Sequence, residues 1–190
     1  MSDRGGTHSH GPGQLIRSTS RATAPSRTDA STRHYWLMRR DLGQPVPEPH
    51  WPAAISPLPF TLDQAPAIHR LLTLGYRDGS GSVPDYRQWL NAFEHDPEFD
   101  TGLCFVAVDD QGPAGVITCW TSAFIKDLVV HPRARRQGVA MALLTLLFSH
   151  LRQRGEPRVD LLVMENNLMA RQLYEKTEMS YVRRSAIEET

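Results

Sequence analysis

The stretch that decides the fold runs from residue 128 to residue 140 and reads LVVHPRARRQGVA. It begins as an apolar strand, passes through a basic turn and ends in a Gly-x-Ala sequence at the mouth of an amphipathic helix. The first turn of a helix leaves backbone N–H groups without partners and carries partial positive charge, so it attracts an anion. Gly138 and Ala140 keep side chains out of the way, and Arg135 and Arg136 add positive charge. The stretch therefore predicts a cradle for a pyrophosphate group.

Length and net charge limit what the chain can be. Its 190 residues suffice for one domain with a sizeable core. The formal net charge of zero argues against a general binder of nucleic acids or anionic membranes. No apolar run approaches the roughly 18 residues of a membrane span, and no signal-peptide core is present. We therefore expect a cytoplasmic protein.

The two cysteines fit a reducing compartment. Cys104 and Cys119 lie in apolar, strand-like runs, where a buried free thiol behaves as a small hydrophobic side chain. A disulfide or a nucleophilic thiol is the alternative. No spacing of Cys, His and acidic residues predicts a metal site, so we expect no metal.

Composition divides the chain into three parts. Residues 1–34 are rich in Ser, Thr, Gly, Pro and Arg, which predicts a disordered tail, with a targeting segment as the alternative. Residues 35–50 are interpreted as an extended linker, and Met38 within it is a candidate for an alternative translation start. Residues 51–190 are predicted to form the folded domain.

Periodicity within the domain predicts a mixed sheet with helices on its faces. The predicted elements are an edge strand at 55–60, helices over 61–75 and 84–93, antiparallel strands at 103–108, 114–120 and 123–130, a helix over 138–154, a strand at 159–163, a helix capped by Asn166 or Asn167, and a strand at 180–183. The continuous apolar run at 159–163 is typical of a central strand with a parallel partner.

Two motifs in order give a resemblance to a known family. Residues 135–140, RRQGVA, match the acyl-coenzyme A signature Arg/Gln-x-x-Gly-x-Gly/Ala, and residues 166–176 match a second signature that ends in Leu-Tyr-Glu-Lys. Over residues 51–184 the chain resembles the GNAT superfamily, the general N-acetyltransferases. The resemblance implies an α/β fold whose mostly antiparallel sheet has a splayed central pair of parallel strands. Residues 177–179 read TEM where the family has x-Gly-Phe, so the turn lacks the residue best suited to positive φ.

The resemblance also implies that acetyl-coenzyme A is the co-substrate. Backbone amides of residues 136–141 would hold its pyrophosphate, and Leu128 and Val130 would offer backbone groups to the pantetheine arm. Asn167 either contacts the coenzyme or only caps a helix. The full set implied in coenzyme binding is Leu128, Val129, Val130, Arg135, Arg136, Gln137, Gly138, Val139, Ala140, Met141, Asn167, Ala170 and Tyr174.

Two side chains are candidates for proton transfer. Tyr174 is the implied general acid, because a phenol near the sulfur can protonate the leaving thiolate; otherwise it is a core tyrosine. Asp127 is the candidate general base, acting through water, or else a structural acid. Strand alternation predicts that Lys126 and Asp127 point to opposite faces. The remaining candidates for the base are His69, His95 and His131, and a solvent relay would need no dedicated base.

The acceptor pocket is expected between the first two helices, the loop 79–83 and the strand ends. Its candidate lining residues are Trp51, Tyr86, Trp89 and Trp120, although aromatic residues at helical spacing usually pack inward, which favours the core for each of them. We expect an N-acetyltransferase that moves the acetyl group to the amine of a small molecule or protein by direct attack, as a monomer or homodimer, with neither nucleic acid nor membrane as a partner. The alternative is a catalytically silent acyl-coenzyme A-binding module that serves as a sensor or scaffold. A Rossmann-type dinucleotide binder is excluded because no Gly-x-Gly-x-x-Gly follows a first strand.

Overall fold

The computed structural model describes residues 33–78 and 82–187, which form a mixed sheet with helices on both faces. The elements are β1 (His34–Asp41), β2 (Ser56–Pro59), α1 (Ala65–Gly75), α2 (Tyr86–Glu94), β3 (Phe99–Asp109), β4 (Gly112–Trp120), β5 (Phe124–Val130), α3 (Val139–Gln153), β6 (Arg158–Met164), α4 (Leu168–Lys176) and β7 (Ser180–Ala186). Except for β1, each of these elements lies where the sequence predicts one.

One pair of strands in the sheet is parallel, and its two strands are paired along only part of their length. The strand order is β2-β3-β4-β5-β6-β1-β7. β5 and β6 pair at Phe124↔Asp160 and Ile125↔Leu161, whereas β6 stays paired with β1 as far as Tyr35↔Met164. A gap therefore opens between β5 and β6, which confirms the predicted splayed central pair.

β1 lies inside the sheet, where the sequence predicts a linker over residues 35–50. It pairs with β6 on one side and β7 on the other, and Met38 is fully buried. The alternation of a half-buried strand is not visible in its sequence, HYWLMRRD, because one of the inward residues is a cation. This residue is Arg40, which is 3% exposed. The folded region therefore includes residues before the predicted boundary at 51, and a chain starting at Met38 would begin in the middle of a strand.

The helices divide the core into two apolar clusters, one on each face of the sheet. On the first face, α1 and α2 pack on β3, β4 and β5 around Ile68, Leu72 and Phe93. On the second face, α3 and α4 pack around Leu143 and Leu147, and this cluster extends under β6 and β1. β5, which borders the gap between β5 and β6, contributes side chains to both clusters.

Side-chain hydrogen bonds cap the starts of three helices, among them the predicted cap of α4. The Gln64 side chain accepts the N–H of Thr61 at 3.1 Å before α1. Asp85 caps α2 by accepting two backbone N–H groups, and Asn167 caps α4 by accepting the N–H of Ala170 at 3.1 Å. β2, with its two prolines, is an edge strand as predicted.

The turn after α4 has the conformation of a glycine turn without the glycine. Glu178 occupies the left-handed region with a φ of 60°, which is unfavourable for an L residue. Its carboxylate is ion-paired with the guanidinium of Arg40 in β1. The pair ties the turn to the sheet.

Candidate active site

A cavity of about 590 Å³ lies in the gap between β5 and β6. Among the predicted site residues, the cavity is lined by Asp127, Leu128, Val129, Val130, Arg135, Ala140, Asn167, Ala170 and Tyr174. The predicted residues outside its lining are Arg136, Gln137, Gly138, Val139 and Met141. Residues 136–139 of this second set lie between two lining residues, Arg135 and Ala140, and Met141 follows Ala140 in α3.

Backbone groups of β5 point into the gap. Among the described residues, the second half of β5 pairs only with β4. The N–H of His131 donates to the carbonyl of Ala114 at 2.8 Å, and hydrogen-bonded positions alternate in an antiparallel pair. Leu128 and Val130 therefore turn their N–H and C=O groups away from β4 and toward the cavity. Consistent with this direction, the Val130 carbonyl accepts a hydrogen bond from Nε of Arg135 at 3.1 Å.

The start of α3 has the free space and the exposed backbone N–H groups that a bound anion requires. Arg136 has a φ of 60° and Gly138 a φ of 90°, so two left-handed residues precede the helix. A Cβ added to Gly138 would meet no atom within 4 Å. The N–H groups of residues 139–141 open the helix next to that free space, and such groups bind phosphate. The turn therefore fits a pyrophosphate.

Arg133 fixes this turn to the β3–β4 hairpin. Its guanidinium contacts both carboxylate oxygens of Asp109, at 2.8 Å and 3.0 Å, and also the carbonyls of Gly112 and Pro113. The hydrogen bond from Arg133 holds the pKa of Asp109 below its usual range. Sequence reasoning missed Arg133, because three arginines share the turn and only the fold shows which one is anchored.

His131 caps the same turn. Its Nδ1 accepts the backbone N–H of Arg133 at 3.2 Å, which requires an unprotonated Nδ1. Burial, followed by the charge of Arg133, lowers the pKa of His131. His131 thus has a structural role in the turn, and it is absent from the cavity lining.

Tyr174 lies on the inner side of α4 and is 9% exposed. It lines the cavity, and its hydroxyl has no hydrogen-bond partner among the described residues. Burial raises the pKa of Tyr174 to about 12. The phenol therefore stays protonated at neutral pH, with its proton available to a group in the cavity.

Asp127 is held by two hydroxyl groups on the α1 side of the cavity. It is 9% exposed, and its carboxylate accepts from the Tyr76 hydroxyl at 2.8 Å and from the Thr118 hydroxyl at 3.0 Å. Gly75 allows this contact: a Cβ there would lie 2.3 Å from Cγ1 of Val129, so the end of α1 rests directly on β5.

Tyr76 and Thr118 were not predicted from the sequence. Thr118 did leave a signal, since it is a polar residue in an apolar strand and lies opposite Asp127 in the hairpin register. Tyr76 left none, because its contact with Asp127 arises only when α1 packs on β5.

A β-bulge puts Lys126 and Asp127 on the same face of the sheet. Thr118 pairs with Asp127 and Cys119 with Ile125, so Lys126 is an extra residue in β5. The bulge interrupts the alternation on which the prediction of opposite faces rested, and that prediction is wrong. The Lys126 Nζ lies 5.9 Å from the ring centroid of Phe93 in α2, on the side where Asp127 contacts Tyr76.

The four candidate aromatic residues lie outside the cavity lining. The cavity lining includes none of Trp51, Tyr86, Trp89 and Trp120. Trp89 is buried against α1, and Trp51 packs against the cluster under α3. Tyr35, Tyr76, Leu162 and Met164 line the cavity instead, together with Ser82 from the predicted loop; residues 79–81 lie outside the described residues. Trp89 thus has the core position that helical spacing favours for an aromatic residue.

The remaining candidates have other partners. His69 contacts the carbonyl of Pro84 at 2.8 Å, and His95 that of Asn91 at 2.9 Å. Cys104 and Cys119 are buried free thiols, as predicted, and burial raises the pKa of each to about 12, which disfavours a thiolate. Within residues 33–78 and 82–187, no cluster of three His, Cys, Asp or Glu is placed to hold a metal ion, and no helix is long and apolar enough to span a membrane.

Comparison with known proteins gives consistent results. The acetyltransferase (GNAT) family matches residues 65–179. A mycothiol acetyltransferase of Salinispora arenicola (strain CNS-205) is 32% identical over 164 residues, which are 76% of this chain and 50% of that protein. A GCN5-related N-acetyltransferase from Sphaerobacter thermophilus has a similar structure, with a TM-score of 0.72, 27% identity, and coverage of 82% of this chain and 50% of the other.

A more distant structural neighbour was solved with ligands. Diaminobutyrate acetyltransferase from Paenibacillus lautus, in complex with L-2,4-diaminobutyric acid and coenzyme A, has a TM-score of 0.53 and 19% identity, covering 64% of this chain and 73% of the other. At this identity the likeness concerns the fold. The chain spans about half the length of the mycothiol acetyltransferase and of the S. thermophilus protein.

Proposed function

The chain belongs to the GNAT family of acetyltransferases, and from this premise we propose that it is an acyltransferase that moves an acetyl group from acetyl-coenzyme A to the amine of a small molecule or protein. The observation that carries the proposal is the cavity between β5 and β6, lined by both Tyr174 and Asp127. In acyl transfer to an amine, a phenol can serve as the general acid and a carboxylate as the general base, and this cavity has one of each.

The coenzyme end of the cavity is proposed at the start of α3. Gly138, which immediately precedes the helix N–H groups, has free space where a Cβ would stand, and Leu128 and Val130 turn backbone groups into the gap. In this proposal the pyrophosphate lies on residues 136–141 and the pantetheine arm runs along β5. Asn167 caps α4 and lines the cavity as well, so its two predicted roles are compatible.

The reaction proceeds by direct attack. The amine nitrogen forms a bond to the thioester carbonyl carbon, the C–S bond breaks, and its electron pair goes to the sulfur. Tyr174 gives its proton to the leaving thiolate; its raised pKa keeps the phenol protonated at neutral pH until the thiolate forms. Asp127 accepts the proton that the amine must lose, directly or through water.

The replacement Tyr174→Phe tests the role of the phenol. We expect turnover to fall about 100-fold or more, with coenzyme A affinity changed less than about twofold, since the ring keeps its packing. The measurements are thiol release with acetyl-coenzyme A against a panel of amines, and calorimetric titration of coenzyme A. Tyr181→Phe, on exposed β7, is the matched control and keeps wild-type turnover.

Full activity of the Tyr174→Phe enzyme would remove the phenol from the mechanism. Tight coenzyme A binding by the wild type without turnover on any amine would favour the alternative function, a silent acyl-coenzyme A-binding module.

A further inference from the structure

The acceptor side of the cavity carries a cation and an anion next to each other. Because of the bulge in β5, Lys126 and Asp127 both point to the face covered by α1 and α2. Both residues line the cavity. Lys126 is exposed at its rim, whereas Asp127 is buried.

Across residues 33–78 and 82–187, neither side chain is paired with an opposite charge. Asp127 accepts hydrogen bonds from two neutral hydroxyls, those of Tyr76 and Thr118. Lys126 lies over the rings of Phe93 and Trp120, with 5.9 Å and 5.5 Å to their centroids, and has no ion pair within the described parts of the chain. A buried carboxylate without a cation is costly, and an ammonium ion from a ligand would remove that cost.

The side chains around Lys126 and Asp127 hold these two charged groups in place and strengthen their interaction with the charges of a ligand. The two rings hold the lysine at the cavity rim through cation–π contacts. The neighbouring lining side chains Tyr35, Leu162 and Met164 are largely apolar, so the cavity has a lower dielectric than water and interactions with a ligand's charges are stronger there.

We infer that the acceptor is an amine that carries its own carboxylate, as an amino acid does. The ammonium group of the acceptor meets Asp127, where it then loses its proton, and its carboxylate meets Lys126. Polyamines and simple alkylamines lack the anion, and a second ammonium would be repelled by Lys126. This inference rests on the proposed function, because it names the substrate class of the same site.

Matched pairs of acceptors test the inference. Each pair consists of an amino acid and the amine that its decarboxylation gives, assayed with acetyl-coenzyme A. For the preferred pair we expect kcat/KM of the wild type to be at least tenfold higher for the amino acid. Lys126→Met keeps the length of the side chain without its charge and should reduce that ratio to within twofold, whereas Lys126→Arg should keep it. Lys176→Met, which removes the chain's other lysine, exposed on α4, should leave the ratio unchanged.

The outcomes separate the inference from the proposed function. If the wild type acetylates amines without preferring the carboxylated member of any pair, or if Lys126→Met keeps the preference, the inference is overturned and the acetyltransferase function stands. If no amine is acetylated, the proposed function fails, and calorimetry of each pair in the presence of coenzyme A decides the inference. Binding of an amino acid that is lost in Lys126→Met supports it, whereas equal binding of both members, or none, overturns it.

Discussion

Gly138 and Glu178 both have positive φ, but only one of them is a glycine. Gly138 adopts this conformation without steric cost, whereas Glu178 pays about 1–2 kcal/mol for it. The ion pair with Arg40 explains why a glutamate occupies the position. Arg40 is 3% exposed and its Nε has no hydrogen-bond partner in the described part of the chain, so loss of the Glu178 carboxylate would leave a buried cation poorly compensated.

Replacement of Glu178 separates the strain from the ion pair. Glu178→Ala keeps the unfavourable φ and loses the ion pair, so we expect the free energy of unfolding to fall by about 1–3 kcal/mol. Glu178→Gly loses the ion pair but relieves the strain, and should be about 1 kcal/mol more stable than the alanine variant. Urea unfolding of the three proteins measures both differences. Equal stabilities of the Ala and Gly variants would contradict the positive φ, and a wild-type stability of the Ala variant would show that the ion pair contributes nothing.

At the scale of helices and strands, the sequence predicts those elements whose positions are determined by local signals. The edge strand β2, the helix starts at Gln64 and Asp85 and the β3–β4 hairpin depend on prolines, caps and turn residues that are visible in the chain. β1 depends on pairing with β6 and β7, more than 100 residues away in sequence. The bulge at Lys126 is equally invisible, because only the pairing of β4 with β5 shows that one residue is extra.

The turn that joins β5 to α3 should be sensitive to pH through His131. Its pKa is lowered in the folded protein by burial and by Arg133, while the unfolded chain has the ordinary value of about 6.5. Below that pH the unfolded state binds more protons, so the stabilising contribution is fully present above about pH 6.5 and is lost as the pH falls through the lowered value. We therefore expect the free energy of unfolding of the wild type to decrease from pH 7.5 to pH 5.5.

The variant His131→Asn isolates this effect. An asparagine oxygen can accept the N–H of Arg133 as Nδ1 does, and it does not titrate in this range. The variant should therefore show a smaller decrease over the same interval in parallel urea titrations. The pKa of Asp109 is lowered by Arg133 and that of Glu165 by Arg184, so these carboxyls lose their contribution only below about pH 4. Identical slopes for wild type and variant would show that His131 is not the responsible group.

At the scale of the whole molecule, the two ends of the cavity differ in how far the sequence predicts them. The proposed coenzyme end comes from one continuous stretch, residues 128–140, so its motif is visible in the chain. The proposed acceptor end assembles residues from β1, β5, β6 and the end of α1, and no local pattern links these positions. Tyr76 was missed for this reason, because its contact with Asp127 arises only when α1 packs on β5.

The proposed coenzyme site exists only in the folded protein, so coenzyme A should stabilise the fold. A ligand that binds only the folded state stabilises it by about 2.7 kcal/mol at 100 times its Kd. For a domain of this size we expect coenzyme A at that concentration to raise the Tm by about 5–10 °C. The rise measures binding without requiring any acceptor or turnover, and thermal unfolding with and without coenzyme A detects it.

Two glycines provide a matched pair of variants for this measurement. Gly138 and Gly112 have φ values of 90° and 104°, and an added Cβ meets nothing within 4 Å at either one. Gly138→Glu and Gly112→Glu should therefore lower the free energy of unfolding of the unliganded protein by a similar 1–2 kcal/mol, because both force a side chain into positive φ. Only Gly138→Glu puts a side chain and a negative charge in front of the α3 N–H groups, so only this variant should lose the rise in Tm with coenzyme A. A full rise in the Gly138→Glu protein would place the phosphate site elsewhere, and loss of the rise in both variants would mean that strain, and not a blocked cradle, abolishes binding.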